Sequence, residues 1–185
     1  MTHRRANRLV ILAFLLSAAP LAAQQPAASP APPARPEDVA SVDAILQALY
    51  DVISGPAGQA RDWDRMRSLF APGARLMPVV RNPADGPATT RILSPDDYIT
   101  TVGPRLEQMG FFEREIGRVT ETFGGVTHAM SAYESKRTAE DAQPFARGIN
   151  SIQLLNDGTR WWVVSIFWDG ERPDNPIPAS YLRGS

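Results

Sequence analysis

Apolar residues recur at three- and four-residue steps in the first part of the chain that has a regular pattern. Such spacing places side chains on one face of a helix, and it predicts a helix over 37–54. That face consists of Val39, Val42, Leu46, Leu49 and Ile53. Residues 62–70 predict a second, short helix. Ser94-Pro95-Asp96-Asp97 predicts the start of a third, which ends at Gly110 and which Gly103-Pro104 should kink or interrupt.

Strand-like segments dominate the second half of the sequence. Residues 74–80 and 90–93 predict two short strands, and Pro78 makes the first an edge or irregular strand. Four longer strands, separated by short turns, are predicted over 111–122, 126–137, 145–155 and 160–169. Because the connections are short, sequential strands should pair antiparallel. Helices followed by such a meander predict an α+β fold, with the helices on one face of an antiparallel sheet.

The last predicted strand, RWWVVSIFWD, is apolar on both faces. In a regular strand, one face would carry Trp162, Val164, Ile166 and Trp168, and the other Trp161, Val163, Ser165 and Phe167. One face should cover the helices and any cavity beneath them. We expect the other face to be buried in a homodimer. The alternative is that the proline-rich tail, residues 171–185, covers it.

The first 23 residues have a basic start, a short apolar run and small residues at the end. This pattern is typical of a secretory signal peptide cleaved near Ala23. The apolar run is short for a membrane span, so we expect an exported protein, periplasmic or secreted, with no membrane span after cleavage. Residues 24–36 are rich in Ala and Pro and predict a mobile linker. Residues 37–185 then suit one domain.

Composition excludes several kinds of site. The sequence has no cysteine and two histidines, of which only His128 follows the predicted signal peptide. Disulfides, thiolate metal sites and thiol nucleophiles are therefore excluded, and no metal-binding motif is present. The net charge is −1 with both signs mixed along the chain, which does not favour nucleic-acid binding. No phosphate-binding or dinucleotide motif occurs, so no cofactor is predicted.

The segment from Tyr133 to Trp168, YESKRTAEDAQPFARGINSIQLLNDGTRWWVVSIFW, resembles the last strands of the nuclear transport factor 2-like (NTF2-like) superfamily, in particular its SnoaL-like domains. The order of predicted elements is similar too. The resemblance implies a cystatin-like roll, in which a curved sheet forms a cone around a pocket closed by the N-terminal helices. It often implies a homodimer joined through the outer sheet faces. Members include dehydratases, isomerases, cyclases, epoxide hydrolases and plain binding domains, so the fold does not fix the function.

The resemblance also directs attention to ionisable residues inside the cone. His128 is the candidate general base, with Asp64 as a carboxylate partner. Tyr133 is a further candidate on the opposite face of the same strand, and either face could be the inner one. A structural role is the alternative for His128. The expected pocket residues are Tyr50, Trp63, Phe70, Tyr98, Arg147 and Trp168.

Core packing is the alternative for these aromatic residues. Arg147 could bind an anionic ligand or pair with an acid across the sheet.

Three functions stay open at this point. The favoured one is binding of a small apolar organic molecule without chemistry, because no convincing acid–base pair is visible. The second is a cofactor-independent dehydratase, isomerase or hydrolase that uses His128 with a carboxylate or Tyr133. The third is a structural or interaction module of the cell envelope. The first two differ in whether His128 lies inside the cavity, within about 3 Å of a carboxylate or a ligand.

Overall fold

The computed structural model describes residues 32–81 and 86–182. Its helices are α1 (Pro36–Val39), α2 (Val42–Ile53), α3 (Trp63–Leu69) and α4 (Pro95–Met109). Its strands are β1 (Phe70–Arg81), β2 (Ala88–Thr90), β3 (Phe112–Phe123), β4 (Val126–Lys136), β5 (Ala146–Asn156) and β6 (Trp161–Gly170). The predicted signal peptide and most of the predicted linker lie outside these residues. Within the two described ranges, no helix is long and apolar enough to cross a membrane.

The helices begin and end largely where the sequence predicts. The predicted helix over 37–54 is divided in two, because the Ser41 hydroxyl accepts a hydrogen bond from the Ala44 amide and starts α2 afresh. Helix α4 begins with a capping box between Ser94 and Asp97.

The expected interruption at Gly103-Pro104 is wrong, since α4 continues through Pro104. Proline removes one N–H bond from the helix, and the burial of Ile99 and Leu106 on either side holds the helix in place. A Cβ atom on Gly103 would lie 2.9 Å from the Trp63 ring. The glycine therefore allows α4 to pack closely against α3.

The six strands form one sheet in the order β2-β1-β6-β5-β4-β3. Strands β3 to β6 pair antiparallel with their sequence neighbours, as predicted. Strand β1 pairs in parallel with β6, so the first long strand joins the sheet beside the last. Helices and sheet together confirm the α+β fold class. The helices cover the inner, concave face of the curved sheet.

Two bulges change which residues face inward. Ile116 is an extra residue in β3, because the pairing with β4 shifts by one residue between Glu115 and Gly117. Val164 is an extra residue in β6, where the pairing with β5 shifts in the same way. A bulge of one residue moves the following side chains to the opposite face. Both bulges therefore change which side chains of β3 and β6 face the inner surface of the sheet.

The predicted alternation along β6 is therefore wrong beyond Val163. The residues of β6 that pack on the core are Trp161, Val163, Ile166 and Trp168. The indole of Trp162 turns the other way, donates to Asp157 at 2.7 Å, and has the Arg160 guanidinium 3.6 Å from its ring centre. The bulge thus brings Trp161 and Trp168, which are seven residues apart, to the same inner face.

The tail crosses part of the outer face of the sheet. Glu171 pairs with Arg147 at 3.2 Å and accepts a hydrogen bond from the Ile177 amide at 2.9 Å. Further on, the backbone of Tyr181 and Leu182 lies against Gly117, where a Cβ atom would clash at 2.2 Å. The tail therefore covers one part of this face. The outer-face residues that stay exposed are Val119, Phe123, Val126, Leu155, Val164 and Phe167.

Candidate functional site

A cavity of about 300 Å³ lies between the inner face of the sheet and helices α2 and α4. Its walls are mostly apolar, with Leu49, Ile152 and Ile166 among the residues that line it. Among the described lining residues, Glu113 is the only acid and Arg91 the only base. A mostly apolar cavity with a few polar groups is typical of a small-molecule site.

Glu113 is the acid of this cavity. It lies on the inner face of β3, and its Oε2 accepts a hydrogen bond from the Ser135 hydroxyl at 2.7 Å. No described Lys, Arg or His lies within salt-bridge distance of it, in contrast to Glu115 two residues later. Burial raises the pKa of Glu113 to about 7, while the Ser135 hydroxyl and the Asn150 amide act in the opposite direction. Glu113 can therefore hold or release a proton near neutral pH.

Two tyrosine hydroxyls share the cavity with Glu113. Tyr98, on α4, and Tyr133, on β4, both line it, and burial raises the pKa of each phenol. The negative charge of Glu113, which lines the same cavity, also raises both pKa values. No fully buried polar side-chain atom in the described ranges lacks a partner. Because neither hydroxyl bonds to a described residue, both are accessible from the cavity and can donate to a ligand.

A chain of hydrogen bonds leads away from the cavity. The Asn150 Nδ2 atom donates to the Tyr50 oxygen at 3.2 Å, and the Tyr50 hydroxyl lies 2.6 Å from Ser131 Oγ. Ser131 donates in turn to the carboxylate of Glu115, which lies 3.3 Å from the Arg118 guanidinium. The chain thus connects two cavity residues, Asn150 and Tyr50, with a partly buried ion pair.

Most of the sequence-predicted pocket residues line the cavity. These are Tyr50, Phe70, Tyr98 and Trp168, and Tyr133, the candidate catalytic tyrosine, lines it too. The inner face of β4 is the one that carries Tyr133, which decides the question the sequence left open. Tyr133 fits because its partner across the sheet is Gly148, where a Cβ atom would lie 2.5 Å from the phenol oxygen. The ring of Trp168 contacts that of Tyr98 edge to face, with the ring centres 6.4 Å apart.

His128 and Asp64 do not meet in the structure. His128 lies on the outer face of β4, where Nε2 is 2.9 Å from Ser151 Oγ, because successive residues of a strand alternate and Tyr133 takes the inner face. Asp64 lies on the exposed side of α3 and pairs with Arg67 at 2.8 Å. The expected pairing of His128 with Asp64 or Tyr133 in one cavity is therefore contradicted by the geometry.

Trp63 and Arg147 also lie apart from the cavity. The Trp63 indole donates to Glu107 Oε1 at 2.9 Å and packs against the core from α3. Arg147 pairs with Glu171 of the tail, so its alternative role, pairing with an acid, is the one observed. Arg147 reaches the tail because it faces outward, whereas its neighbour in β5, Gly148, faces inward.

Sequence reasoning missed Glu113 because of the bulge at Ile116. Counting back from the Gly124-Gly125 turn without a bulge pairs Glu113 with Lys136 and places it on the outer face. In the structure Glu113 pairs with Ser135 and faces inward. The sequence feature that could have identified Glu113 is the spacing of two glutamates, Glu113 and Glu115, on one strand and of two serines, Ser131 and Ser135, on the next. Each inward serine donates to one of these glutamates. Among the described residues, no group of His, Asp and Glu could hold a metal ion.

Comparison with known proteins supports the fold. No protein-family model and no curated protein matches the sequence. Among solved structures, a protein from Kribbella flavida shares 10% identity over 72% of this chain and 90% of that chain, with a TM-score of 0.52. A protein from Novosphingobium aromaticivorans, assigned as the beta subunit of an aromatic-ring-hydroxylating dioxygenase, shares 16% identity over 75% of this chain and 95% of that chain, with a TM-score of 0.51.

A protein from Silicibacter pomeroyi, described as NTF2-like and of unknown function, shares 16% identity over 71% of this chain and 94% of that chain, with a TM-score of 0.48. At such identities the likeness concerns the fold alone. The helices, the curved sheet and the enclosed cavity agree with what the sequence resemblance implied. The chain therefore shares its fold with the proteins from Kribbella flavida and Novosphingobium aromaticivorans.

Proposed function

We propose that the cavity binds a small, largely apolar organic molecule with one polar group directed at Glu113, Tyr98 and Tyr133. The observation that supports this most directly is the single acid in an apolar cavity without a cation partner among the described residues. Burying such a group is costly unless it has a role or a partner. The signal-peptide pattern of residues 1–23 supports an exported location for this binding domain.

The size and walls of the cavity restrict the ligand. A volume of about 300 Å³ is at the lower end for small-molecule sites and suits a molecule of one or two rings. Apolar walls favour hydrocarbon or aromatic parts. Two accessible phenol donors and a protonatable acid suit a carbonyl or hydroxyl oxygen. Cyclic ketones and phenols therefore fit the cavity best.

Ligand-observed NMR with a panel of cyclic ketones and phenols tests this proposal. Val102→Trp on α4 would fill the cavity, since Val102 lines it. Thr101→Trp is the matched control, because Thr101 is exposed on the same helix. We expect panel members to bind the wild type and the control but not Val102→Trp. Equal binding to all three proteins would overturn the proposal. It would also be overturned if no panel member bound the wild type and native mass spectrometry of protein purified from its own source showed no retained ligand.

A second candidate function is cofactor-independent proton transfer, with Glu113 in the role that the sequence assigned to His128. The supporting observation is the pKa of about 7, which poises Glu113 as a base or acid at neutral pH. Glu113 would remove a proton from the carbon next to a carbonyl, and Tyr98 or Tyr133 would donate to the carbonyl oxygen as negative charge develops there. Returning the proton to another carbon would complete an isomerisation.

Deuterium exchange tests this second function without knowledge of the natural substrate. Panel ketones are incubated in D₂O with the protein, and loss of the α-proton signal is followed by NMR. We expect the wild type to accelerate exchange and Glu113→Gln to reduce the rate roughly 10²- to 10⁴-fold, the usual contribution of a general base. Glu121→Gln, an exposed glutamate on the same strand, is the control. Binding without exchange would leave the protein as a binding domain only.

A further inference from the structure

Every hydrogen in the chain from Glu115 to Asn150 has a defined direction. An ionised carboxylate only accepts hydrogen bonds, so the Ser131 hydroxyl hydrogen points to Glu115. Ser131 must then accept from the Tyr50 hydroxyl, 2.6 Å away. The Tyr50 oxygen in turn accepts from Asn150 Nδ2. The charge at one end of the chain therefore determines which way the amide at the other end faces.

Burial raises the pKa of Glu115, while the Ser131 hydroxyl and the Arg118 guanidinium act in the opposite direction and favour its charged form. Arg118 lies 3.3 Å from Glu115 and also pairs with Asp43 of α2, so the carboxylate has a fixed positive neighbour. Ser131 is fully buried and Tyr50 is 4% exposed. Bulk water therefore has little access to the middle of the chain. The hydrogen-bond direction is consequently set by protein groups alone.

At its other end the chain reaches the cavity that contains Glu113, because Asn150 lines the same cavity. The Asn150 amide lowers the pKa of Glu113, as expected when amide N–H groups face the carboxylate. If the amide were rotated by half a turn, its oxygen would face the carboxylate instead. An oxygen in that position would disfavour the ionised acid and raise its pKa.

We propose that Glu115 is a positioning residue for Glu113: acting through Ser131 and Tyr50, its carboxylate holds the Asn150 amide with its N–H groups toward the cavity acid. The proposal deepens the proposed function, which rests on Glu113. It does not require that a ligand be known, because its effect is present in the free protein.

Four of the other groups that face Glu113 are neutral near pH 7. They are Tyr50 from α2, Tyr98 from α4 and Tyr133 and Ser135 from β4; burial raises the pKa of all three phenols. Glu115 lies on the same strand and Arg91 on the cavity wall. The Asn150 amide on β5 can therefore rotate while every charge beside Glu113 stays the same.

NMR titration of the Glu113 side-chain carboxyl in the ligand-free, full-length protein tests the proposal. In Glu115→Gln the new amide can donate to Ser131, so the chain can reverse and Asn150 can turn its oxygen toward Glu113. We expect the pKa of Glu113 to rise by about one unit, the scale of one hydrogen bond to a charged group. Simple removal of a nearby negative charge would lower it instead. The sign of the shift therefore separates the two explanations, and Glu121→Gln should leave the pKa unchanged.

A double substitution shows whether the effect passes through Asn150. Asn150→Ala alone should raise the pKa of Glu113, and adding Glu115→Gln should then give no further rise. An unchanged or lowered pKa in Glu115→Gln, or a second full rise in the double variant, would overturn the proposal. If Glu115→Gln does not fold, Ser131→Ala interrupts the chain without changing any charge and should raise the pKa in the same way. If the wild type binds no panel ligand, the proposed function is refuted but the positioning role of Glu115 is not.

Discussion

Replacing Glu113 with glutamine should change how the stability of the protein depends on pH. The folded protein holds the Glu113 proton more tightly than an ordinary carboxyl does, since its pKa rises from 4.5 to about 7. The stability associated with the protonated acid is fully present below about pH 4.5 and is lost as the pH rises through about 7. Ionisation in the folded state then costs about 3 kcal/mol at alkaline pH.

Urea unfolding at pH 5 and pH 8.5 measures this cost. At pH 5 the wild-type acid is mostly neutral and similar in shape to glutamine, so Glu113→Gln should change the free energy of unfolding little. At pH 8.5 the variant should be more stable than the wild type by about 2–3 kcal/mol. Glu121→Gln should follow the wild type at both values.

The refuting result is a free-energy difference between wild type and Glu113→Gln that does not change with pH. That outcome would mean that Glu113 ionises with an ordinary pKa, as it would in a cavity filled with bulk-like water. The proton-transfer candidate would then lose its base. A carboxyl titration by NMR would show the same outcome directly, as a midpoint near 4.5.

Three further predictions concern the fold and its assembly. Arg61→Lys should lower the free energy of unfolding by about 2–4 kcal/mol in urea titrations. The buried guanidinium donates to the backbone carbonyls of Ile53, Gly55 and Gln59, and lysine cannot reach all three. An effect below about 0.5 kcal/mol would contradict this. Gly148→Ala should lower the melting temperature, since the added Cβ atom would lie 2.5 Å from both the Tyr133 hydroxyl and the Asp169 backbone oxygen and overpacking typically costs about 1–3 kcal/mol; an unchanged melting curve would show that both groups can shift. If the outer face joins two copies, sedimentation should show a dimer for the wild type and a monomer for Phe167→Glu; a monomeric wild type would refute the dimer.

The order of elements could be predicted from the sequence because it depends on local patterns. Each of the four long strands was placed within one or two residues, since Gly and Pro clusters mark their ends. The start of α4 was predictable because Ser94 and Asp97 form a local cap. The parallel pairing of β1 with β6 was not predictable, since it depends on contacts between distant segments.

The candidate site was predictable only in part. Aromatic residues such as Tyr50 and Tyr98 line the cavity because large side chains on the inner faces of helices meet there. His128 is the candidate from sequence because it is the only histidine after the predicted signal peptide. Glu113 does not stand out, because alternation along a strand is reliable only between bulges. Ile116 shifts Glu113 inward, and nothing in the composition of the strand marks that position. Val164 has the same effect on Ile166 and Trp168.

The pairing of β1 with β6 has a consequence for the order in which the domain can form during synthesis. Strand β1 leaves the ribosome early, but its partner β6 is the last long strand to emerge. Until then, the helices that precede β1 have no complete sheet to pack against, and the cavity has no wall of Ile166 and Trp168. Contacts between such distant segments slow folding, because a long loop must close first. The incomplete chain therefore keeps an unpaired strand edge and an uncovered apolar face until nearly all of it has been made. During this period it exposes the kind of apolar surface that chaperones bind.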